Sequence, residues 1–446
     1  MTFDLCNAPV SLTSTEGLAA WNSMTRAFLA HSADTPTHLG AVLAAEPDFS
    51  MGLAAKGLFS PMLGRREMWD VAVDAYTAAR KGHATSEREA LWVRALGAWL
   101  SGSPSGAIAA MEDVLRHYPS DTLSAKVSHA IRFILGDAKG MRASIERVLN
   151  AHDADHPYRG FLLGCHAFAL EETGDYADAE AAGREGLAYA PDDAWGLHAV
   201  AHVCDMTARA DCGIKLIEEN TSAWDHCNNF RYHVWWHKAL LHLDRGEYDV
   251  ALQLYDQKIR EDKTDDYRDI SNATSLLMRL ELEGIQVGER WEELADFSEN
   301  RTIDGCLVFA DLHYMLALGA AGRFEPASEL ALRFTTDARK PGEMAARVAD
   351  PGLAAIAGLH SFAEGRYDTA FLNLAAARPT MQTIGGSHAQ RDVFERITVD
   401  AGLRAGYYDQ VSEILADRRA RRAGHDDRFS ASRQSTIDTA RRIPAQ

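Results

Sequence analysis

Long uninterrupted hydrophobic runs are missing from this sequence, although 46% of its 446 residues are hydrophobic. No stretch approaches the roughly 18 consecutive apolar residues that a membrane-spanning helix needs. The opening MTFDLCNAPVSL also lacks the basic segment and the apolar core of a secretory signal peptide. We therefore expect a soluble, cytoplasmic protein that does not enter a membrane.

Cysteine and positive charge are both scarce. The six cysteines are scattered along the chain without a CxxC pair, so reduced thiols are expected rather than a disulfide framework. Lysine and arginine total 46 against 64 aspartate and glutamate, which gives a formal net charge of −18. An acidic chain is a poor match for a phosphate backbone or an anionic bilayer. The charge thus predicts that the protein binds neither nucleic acid nor membrane.

Fingerprints of common enzyme classes are missing as well. The sequence contains no Gly-rich phosphate loop, no nucleophile elbow, no dinucleotide fingerprint and no HExxH motif. A sustained period-two pattern is also absent, so strands are not expected. Helical periodicity interrupted by short Gly-containing turns recurs instead, and it predicts an all-α protein.

The clearest repeating unit is FLLGCHAFALEETGDYADAEAAGREGLAYAP. Here Gly174, Tyr176, Ala179 and Pro191 occupy the turn, the packing positions and the final proline of a tetratricopeptide repeat of about 34 residues. Glycine ends the first helix, the aromatic ring fills the hairpin, and alanine lets the two helices approach. The same spacing recurs at Gly246, Tyr248 and Ala251, at Gly322, Phe324 and Ala327, and at Gly365, Tyr367 and Ala370.

These units predict a tetratricopeptide-like α–α superhelix, or solenoid, of about ten helical hairpins whose first helices line a concave groove. The predicted hairpins start near Arg88, Thr122, Gly160, Ala194, Tyr232, Val308, Pro351 and Asp392. We expect degenerate N-terminal hairpins over residues 1–87, the repeat array over 88–425 and a polar C-terminal tail over 426–446. That tail is either mobile or a weak capping helix, because it loses apolar periodicity.

Two histidine pairs fall at predicted groove positions. His198 and His202 in AWGLHAVAHVCD, and His233 and His237 in YHVWWHKAL, have i, i+4 spacing, which puts both rings of a pair on one helix face. Converging pairs would form a pocket suited to a divalent ion such as Zn, Cu, Fe or Ni, or would act as general acids and bases without metal. Alternatively they are satisfied core or groove histidines, since HxxxH arises by chance among 18 histidines. His129 occupies a packing position, where burial with a hydrogen bond is expected.

Other residues extend this predicted pocket. Asp205 supplies a nearby carboxylate, with which a metal would keep an open water position. His313 falls at a groove position of the hairpin that starts near Val308, so it is also predicted to line this pocket. Trp195 and Trp236 would form aromatic walls for an apolar or cationic ligand, although core packing is the alternative for both.

The segment TIGGSHAQRDVFERI has a different character. Ser387 followed by Gln390 predicts a capping box that opens a helix. Arg391 and Asp392 then fall in the first turn of that helix. The segment is either an anion or carboxylate site at the helix N-terminus, or a simple cap with a surface Arg–Asp pair.

Five segments together resemble the tetratricopeptide repeat protein 38 family: PDDAWGLHAVAH, HVWWHKALLHLDRGEYDVAL, RWEEL, ADLHYMLAL and GGSHAQRDVF, in this order. The resemblance covers most of the chain and implies an α-solenoid of tetratricopeptide-like hairpins. It marks the following positions as carrying the family's motifs, without giving them a role: His198, His202, His233, His237, His313, Gln390, Arg391 and Asp392. One departure is His388, where the family pattern leads us to expect Asn.

Two functions follow from these patterns. The first is a repeat protein whose groove binds a partner protein, a peptide or a small ligand, and a homo-oligomer is compatible with it. The second is an enzyme or small-molecule binder with a His-rich pocket, with or without a bound divalent metal ion, and polar or hydrolytic chemistry. Peptide-binding arrays commonly hold a carboxylate with Lys, Arg and Asn, whereas the predicted groove positions here carry His, Trp, Asp and Glu. That composition counts against the peptide mode.

Overall fold

The protein is all-α apart from one short strand pair, over the residues that the computed structural model describes, 2–82, 84 and 86–442. Strands β1 (Thr2–Phe3) and β2 (Pro9–Val10) are antiparallel, with Thr2 opposite Val10. The expectation of no strands was therefore wrong at this point, because two residues are too few to show a period-two pattern. Within the same described ranges, no helix has the length and apolar character needed to cross a membrane.

The chain divides into two compact units. The first comprises the described residues of Met1–Val200, Asn220–Arg231 and Pro341–Met344, and the second those of Ala201–Glu219, Tyr232–Lys340 and Ala345–Gln446. The first unit contains α1 (Thr15–Leu29), α2 (Thr35–Ala45), α3 (Ser50–Phe59), α4 (Glu67–Lys81), α5 (Glu87–Leu100), α6 (Pro104–His117), α7 (Thr122–Ile134), α8 (Ala138–Val148), α9 (Arg159–Glu172), α10 (Tyr176–Tyr189) and the start of α11 (Ala194–Met206).

The second unit contains the remainder of α11 and the later helices. These are α12 (Ala210–Glu219), α13 (Phe230–Asp244), α14 (Tyr248–Leu254), α15 (Tyr267–Leu282), α16 (Arg290–Arg301), α17 (Val308–Ala320), α18 (Phe324–Asp337), α19 (Glu343–Arg347), α20 (Leu353–Ala363), α21 (Tyr367–Ala377), α22 (His388–Ala405), α23 (Tyr408–Arg421) and α24 (Arg428–Arg442). The unit boundaries fall within α11, α13 and α19, so these helices begin in the first unit and end in the second.

The fold class predicted from the sequence, an all-α array of tetratricopeptide-like hairpins, is confirmed. Helices α7, α11 and α17 begin at the predicted residues Thr122, Ala194 and Val308, and the other predicted starts lie within four residues of a helix start. The predicted turn glycines take the left-handed conformation, as Gly174 does with φ 89° between α9 and α10. The predicted boundaries at residues 87 and 425 rest on how closely each segment matches the repeat pattern. They remain a prediction.

The polar C-terminal segment forms α24, which corresponds to the capping-helix alternative. Phe429 is 2% exposed and Ile437 is fully buried, one on either side of Arg433. The Arg433 guanidinium lies 4.2 Å from the centroid of the Phe429 ring. Three residues at i, i+4 spacing therefore give this helix a buried face, although the segment has too few apolar residues to reveal it. Residues 443–446 lie outside the described part.

Helices α9 and α10 approach closely because small residues line their contact. A Cβ added at Gly160 would lie 2.5 Å from the Ala190 Cβ and 2.7 Å from the Gly186 carbonyl oxygen. Ala179, the predicted packing alanine, is fully buried. A larger side chain at Gly160 would force the two helices apart, so their spacing depends on glycine.

Gly160→Ala should lower the free energy of unfolding by about 1–3 kcal/mol, because the new methyl group overlaps backbone atoms that cannot move independently. The matched control is Gly40→Ala in α2, where an added Cβ meets no atom within 4 Å. That change should instead stabilise the protein by about 0.5–1 kcal/mol, since alanine favours a helix. Thermal and urea denaturation of both variants measure the difference. Equal effects of the two substitutions would contradict the close contact.

Candidate functional site

Three of the four paired histidines meet within the second unit. One ring nitrogen from each of His202 on α11 and His233 and His237 on α13 lies within 4.8 Å of the other two. Their residues are 0%, 8% and 3% exposed, respectively. The Nε2 atoms of His233 and His237 are 3.1 Å apart, and the ring centroids of His202 and His237 are 4.3 Å apart. The second unit therefore contains a buried His-rich cluster, which we define as His202, His233 and His237.

Asn272 on α15 orients one ring of the His-rich cluster. His233 Nδ1 lies 2.9 Å from the Asn272 side-chain oxygen. An amide oxygen only accepts, so Nδ1 carries the proton and Nε2 keeps its lone pair toward His237. Burial lowers the pKa of His233 to about 3, which leaves the ring neutral at pH 7. Neutral imidazole is the form that binds metal ions.

His388, the first residue of α22, lies beside the cluster. Its Nε2 is 3.4 Å from His202 Nδ1, and the two ring centroids are 5.1 Å apart. The sequence identified His388 only as a departure from a family pattern, and it did not single out Asn272. Both residues come from helices far along the chain from His202, so no local spacing could have revealed the contacts.

His198 belongs to the first unit and lies one turn before His202 on α11. It is 2% exposed, and its ring centroid lies 5.0 Å from that of Trp195 and 5.5 Å from that of Phe168. The i, i+4 spacing puts its ring on the same side of α11 as His202. Its immediate surroundings in the first unit are aromatic.

Two further predicted residues are fully buried in the second unit. Trp236 stacks on His233 with 5.2 Å between ring centroids, and its Nε1 has no hydrogen-bond partner in the described ranges. His313 Nδ1 donates to the Phe309 carbonyl oxygen at 2.8 Å, whereas its Nε2 lacks a partner among the described residues. Burial lowers the pKa of His313 to about 4. His313 is therefore neutral at pH 7, with a buried lone pair.

The predicted capping box at the start of α22 is confirmed. The Gln390 backbone N–H donates to the Ser387 hydroxyl at 3.2 Å, and the Ser387 backbone N–H donates to the Gln390 side chain at 3.0 Å. Arg391 donates to the carbonyl oxygens of Gly385 and Gly386. The capping box and the Arg391 contacts therefore hold the first turn of α22 against the preceding turn at Gly385 and Gly386.

Two predicted carboxylates pair with arginines of the second unit. Asp205 accepts from Arg422 at 3.1 Å. Asp392 accepts from Arg396 at 2.6 Å and also from Arg418. Burial by itself would raise the pKa of Asp392, but Arg418 and Arg396 hold it well below the usual range. Both carboxylates are thereby held in ion pairs within the unit.

No protein-family model matches the chain. Solved structures with a similar fold include a human IFIT1 dimer with PPP-AAAA, which is 13% identical and covers 97% of each chain with a TM-score of 0.44. Yeast Tom70 is 12% identical and covers 96% of this chain and 89% of its own, with a TM-score of 0.35. At these TM-scores the likeness carries no argument about ligand or function. The resemblance to the tetratricopeptide repeat protein 38 family stays a prediction.

His313→Leu should flatten the dependence of stability on pH. The unfolded state protonates this imidazole near pH 6.5, whereas the folded state does so only near pH 4, at its lowered pKa of about 4. Between these values the unfolded state binds more protons, so the native protein loses up to about 1.4 kcal/mol per pH unit as pH falls. The variant should not lose this contribution. Urea denaturation at pH 7, 6 and 5 measures both slopes.

The matched control for this prediction is His425→Leu, which alters an exposed histidine of the same unit. This variant keeps the buried His313 ring, so it should also keep the contribution of His313 to the slope. Parallel slopes for the native protein and His313→Leu would refute the assignment of a neutral buried ring.

Proposed function

We propose that this chain is a helical-repeat protein that binds a divalent transition-metal ion at the His-rich cluster of its second unit. The observation that carries the proposal is the convergence of three buried imidazoles, each of which offers one nitrogen within 4.8 Å of the other two. Imidazole suits Zn, Cu, Fe and Ni. With three protein ligands, a catalytic-type site keeps one position open for water or a substrate.

The spacing of the ring nitrogens is compatible with a shared metal ion. In a tetrahedral zinc site with Zn–N bonds of about 2.0–2.1 Å, two ligand nitrogens are roughly 3.3 Å apart. The Nε2 atoms of His233 and His237 are 3.1 Å apart. Because the Nδ1–H of His233 donates to the Asn272 side-chain oxygen, Nε2 of His233 offers a lone pair. A hydrogen bond from His237 would satisfy that lone pair, and so would a shared metal ion.

The surroundings of the His-rich cluster fit the outer shell of a metal site. Ligating histidines usually donate their other N–H to a carboxylate, a carbonyl or a water, and Asn272 accepts such a bond. Trp236 stacks on His233 and keeps water away from that side of the ring. A metal at the cluster would supply Lewis acidity and a bound water that ionises near neutral pH. Polar or hydrolytic chemistry on a small substrate is the reaction class that we assign.

Binding of a protein or peptide in the groove is the second candidate function. The exposures of the three histidines, 0%, 8% and 3%, favour a small ligand for them, because a protein partner needs an exposed surface. The formal net charge of −18 disfavours a nucleic-acid ligand. A repeat array still offers surfaces outside the His-rich cluster, so the two functions are not exclusive.

Metal analysis of untagged protein tests the proposal. By inductively coupled plasma mass spectrometry, the native chain should carry about one transition-metal ion per chain, as one three-histidine site implies. His202→Ala/His237→Ala should lose it because two of three ligands are gone. The matched control is His242→Ala on the same helix, α13, where the ring pairs with Glu247 instead. This control should retain the metal.

Asn272→Ala provides a second and milder test that leaves all three ligands in place. Loss of an outer-shell partner typically weakens metal affinity about 10–100-fold. Competition with a chelator of known affinity measures this change, and far-UV circular dichroism verifies that each variant is folded. The proposal would be refuted if the native protein carried no metal even after incubation with Zn, Mn, Fe and Ni salts. Equal metal content in the native chain and the double variant would also refute it.

A further inference from the structure

A separate cluster of polar side chains lies within the first unit. Lys126 and His129 come from α7, three residues apart, while Asp193 precedes α11 and Trp195 lies in its first turn. These residues are 5%, 1%, 1% and 8% exposed in that order. The Lys126 ammonium lies 4.5 Å from the centroid of the Trp195 ring, and the His129 and Trp195 rings are 5.8 Å apart. We refer to these four residues as the Lys126 cluster.

Several polar atoms of the Lys126 cluster have no hydrogen-bond partner in the described part of the chain. They are both ring nitrogens of His129, Nε1 of Trp195 and Oδ1 of Asp193. The sequence predicted a buried His129 with a hydrogen bond, and the structure confirms only the burial. Buried polar groups in native proteins are satisfied by protein, ordered water or a ligand. The four unsatisfied atoms of this cluster are therefore available to ordered water or to a ligand.

The charge of the Lys126 cluster favours an anion. Burial raises the pKa of Asp193 to about 7, although Lys126 opposes this shift, so near neutral pH the carboxyl only partly balances the ammonium. Burial, with Lys126 and Arg132 nearby, lowers the pKa of His129 well below the usual range. Neutral His129 has one N–H donor, and Trp195 Nε1 only donates. The cluster thus offers a cation and two further donors.

Glycines make room for the carboxyl of Asp193. A Cβ at Gly164 would lie 1.9 Å from Asp193 Oδ2, and one at Gly196 would lie 2.5 Å from it. The Gly196 backbone N–H donates to the same oxygen at 3.1 Å. The Oδ2 atom of Asp193 therefore caps the start of α11. The Oδ1 atom has no hydrogen-bond partner in the described part of the chain.

Aromatic rings surround the Lys126 cluster. The ring centroid of Phe168 lies 4.5 Å from that of Trp195, and the ring of Phe133 meets Trp195 edge-on at 5.8 Å. Both phenylalanines belong to the first unit. Rings of this kind can contact an apolar or aromatic body, while a few polar groups fix its orientation.

We propose that the Lys126 cluster binds a small carboxylic acid, with its carboxylate against Lys126 and the His129 N–H and its apolar body against the aromatic rings. This site is independent of the proposed metal site. The acid is recognised by charge and by hydrogen bonds at one end and by ring contacts at the other.

Calorimetric titration of the native, full-length chain tests this proposal with benzoate and phenylacetate as probes. Their neutral amides, benzamide and phenylacetamide, have nearly the same shape but no charge. We expect the acids to bind at least about tenfold more tightly than the amides, because a charge-assisted contact is stronger than a neutral one. This comparison needs no variant, so it stands even where a substitution prevents folding.

Lys126→Met removes the ammonium and keeps the length of the side chain. It should weaken benzoate binding about 10–100-fold, whereas Lys139→Met, at an exposed site on α8, should leave it unchanged. His202→Ala/His237→Ala should bind benzoate as the native chain does, which separates this proposal from the metal site. No acid binding at millimolar concentration, equal affinity for acid and amide, or an unaffected Lys126→Met would overturn it. A crystal structure with ordered water alone on these atoms would do the same.

Discussion

Close approach of helices is the constraint on which the rest of the structure depends. Helices α9 and α10 touch at Gly160 and Gly186, where a single added carbon would overlap backbone atoms. Such contacts leave little space between the helices, so a buried polar side chain lies where small residues make room for it. The Asp193 carboxyl illustrates this, because it occupies space that Gly164 and Gly196 leave free. Small residues therefore determine both the spacing of the helices and the place of a buried carboxyl group.

Burial sets the chemical state of the histidines. In the second unit, burial keeps His233 and His313 neutral by lowering their pKa values to about 3 and about 4. A neutral ring offers one lone pair and one N–H, and the partner of the N–H decides where the lone pair points. The Asn272 side-chain oxygen accepts the N–H of His233, and the Phe309 carbonyl oxygen accepts that of His313. The proposed metal site depends on the lone pair that is prepared in this way on His233.

An arginine network explains why the predicted groove carboxylate Asp392 is held within the second unit. Asp392 and Asp427 share Arg396 and Arg418, and all four side chains are largely buried. Removing one member would leave an uncompensated buried charge, which is costly. The spacing of Asp392 within GGSHAQRDVF revealed its place in the first turn of a helix. It could not reveal Arg418, which reaches Asp392 from the next helix.

The sequence by itself determined the helical class, the hairpin starts and the turn glycines, because these depend on local periodicity and on the left-handed backbone that glycine favours. It also placed His233 and His237 on one helix face, since i, i+4 spacing is a property of a single helix. Tertiary structure alone decided that Asn272 and His388 join them, and that Lys126, His129, Asp193 and Trp195 are buried together. These contacts link residues distant in the chain, and only the packing of helices against one another brings such residues within reach.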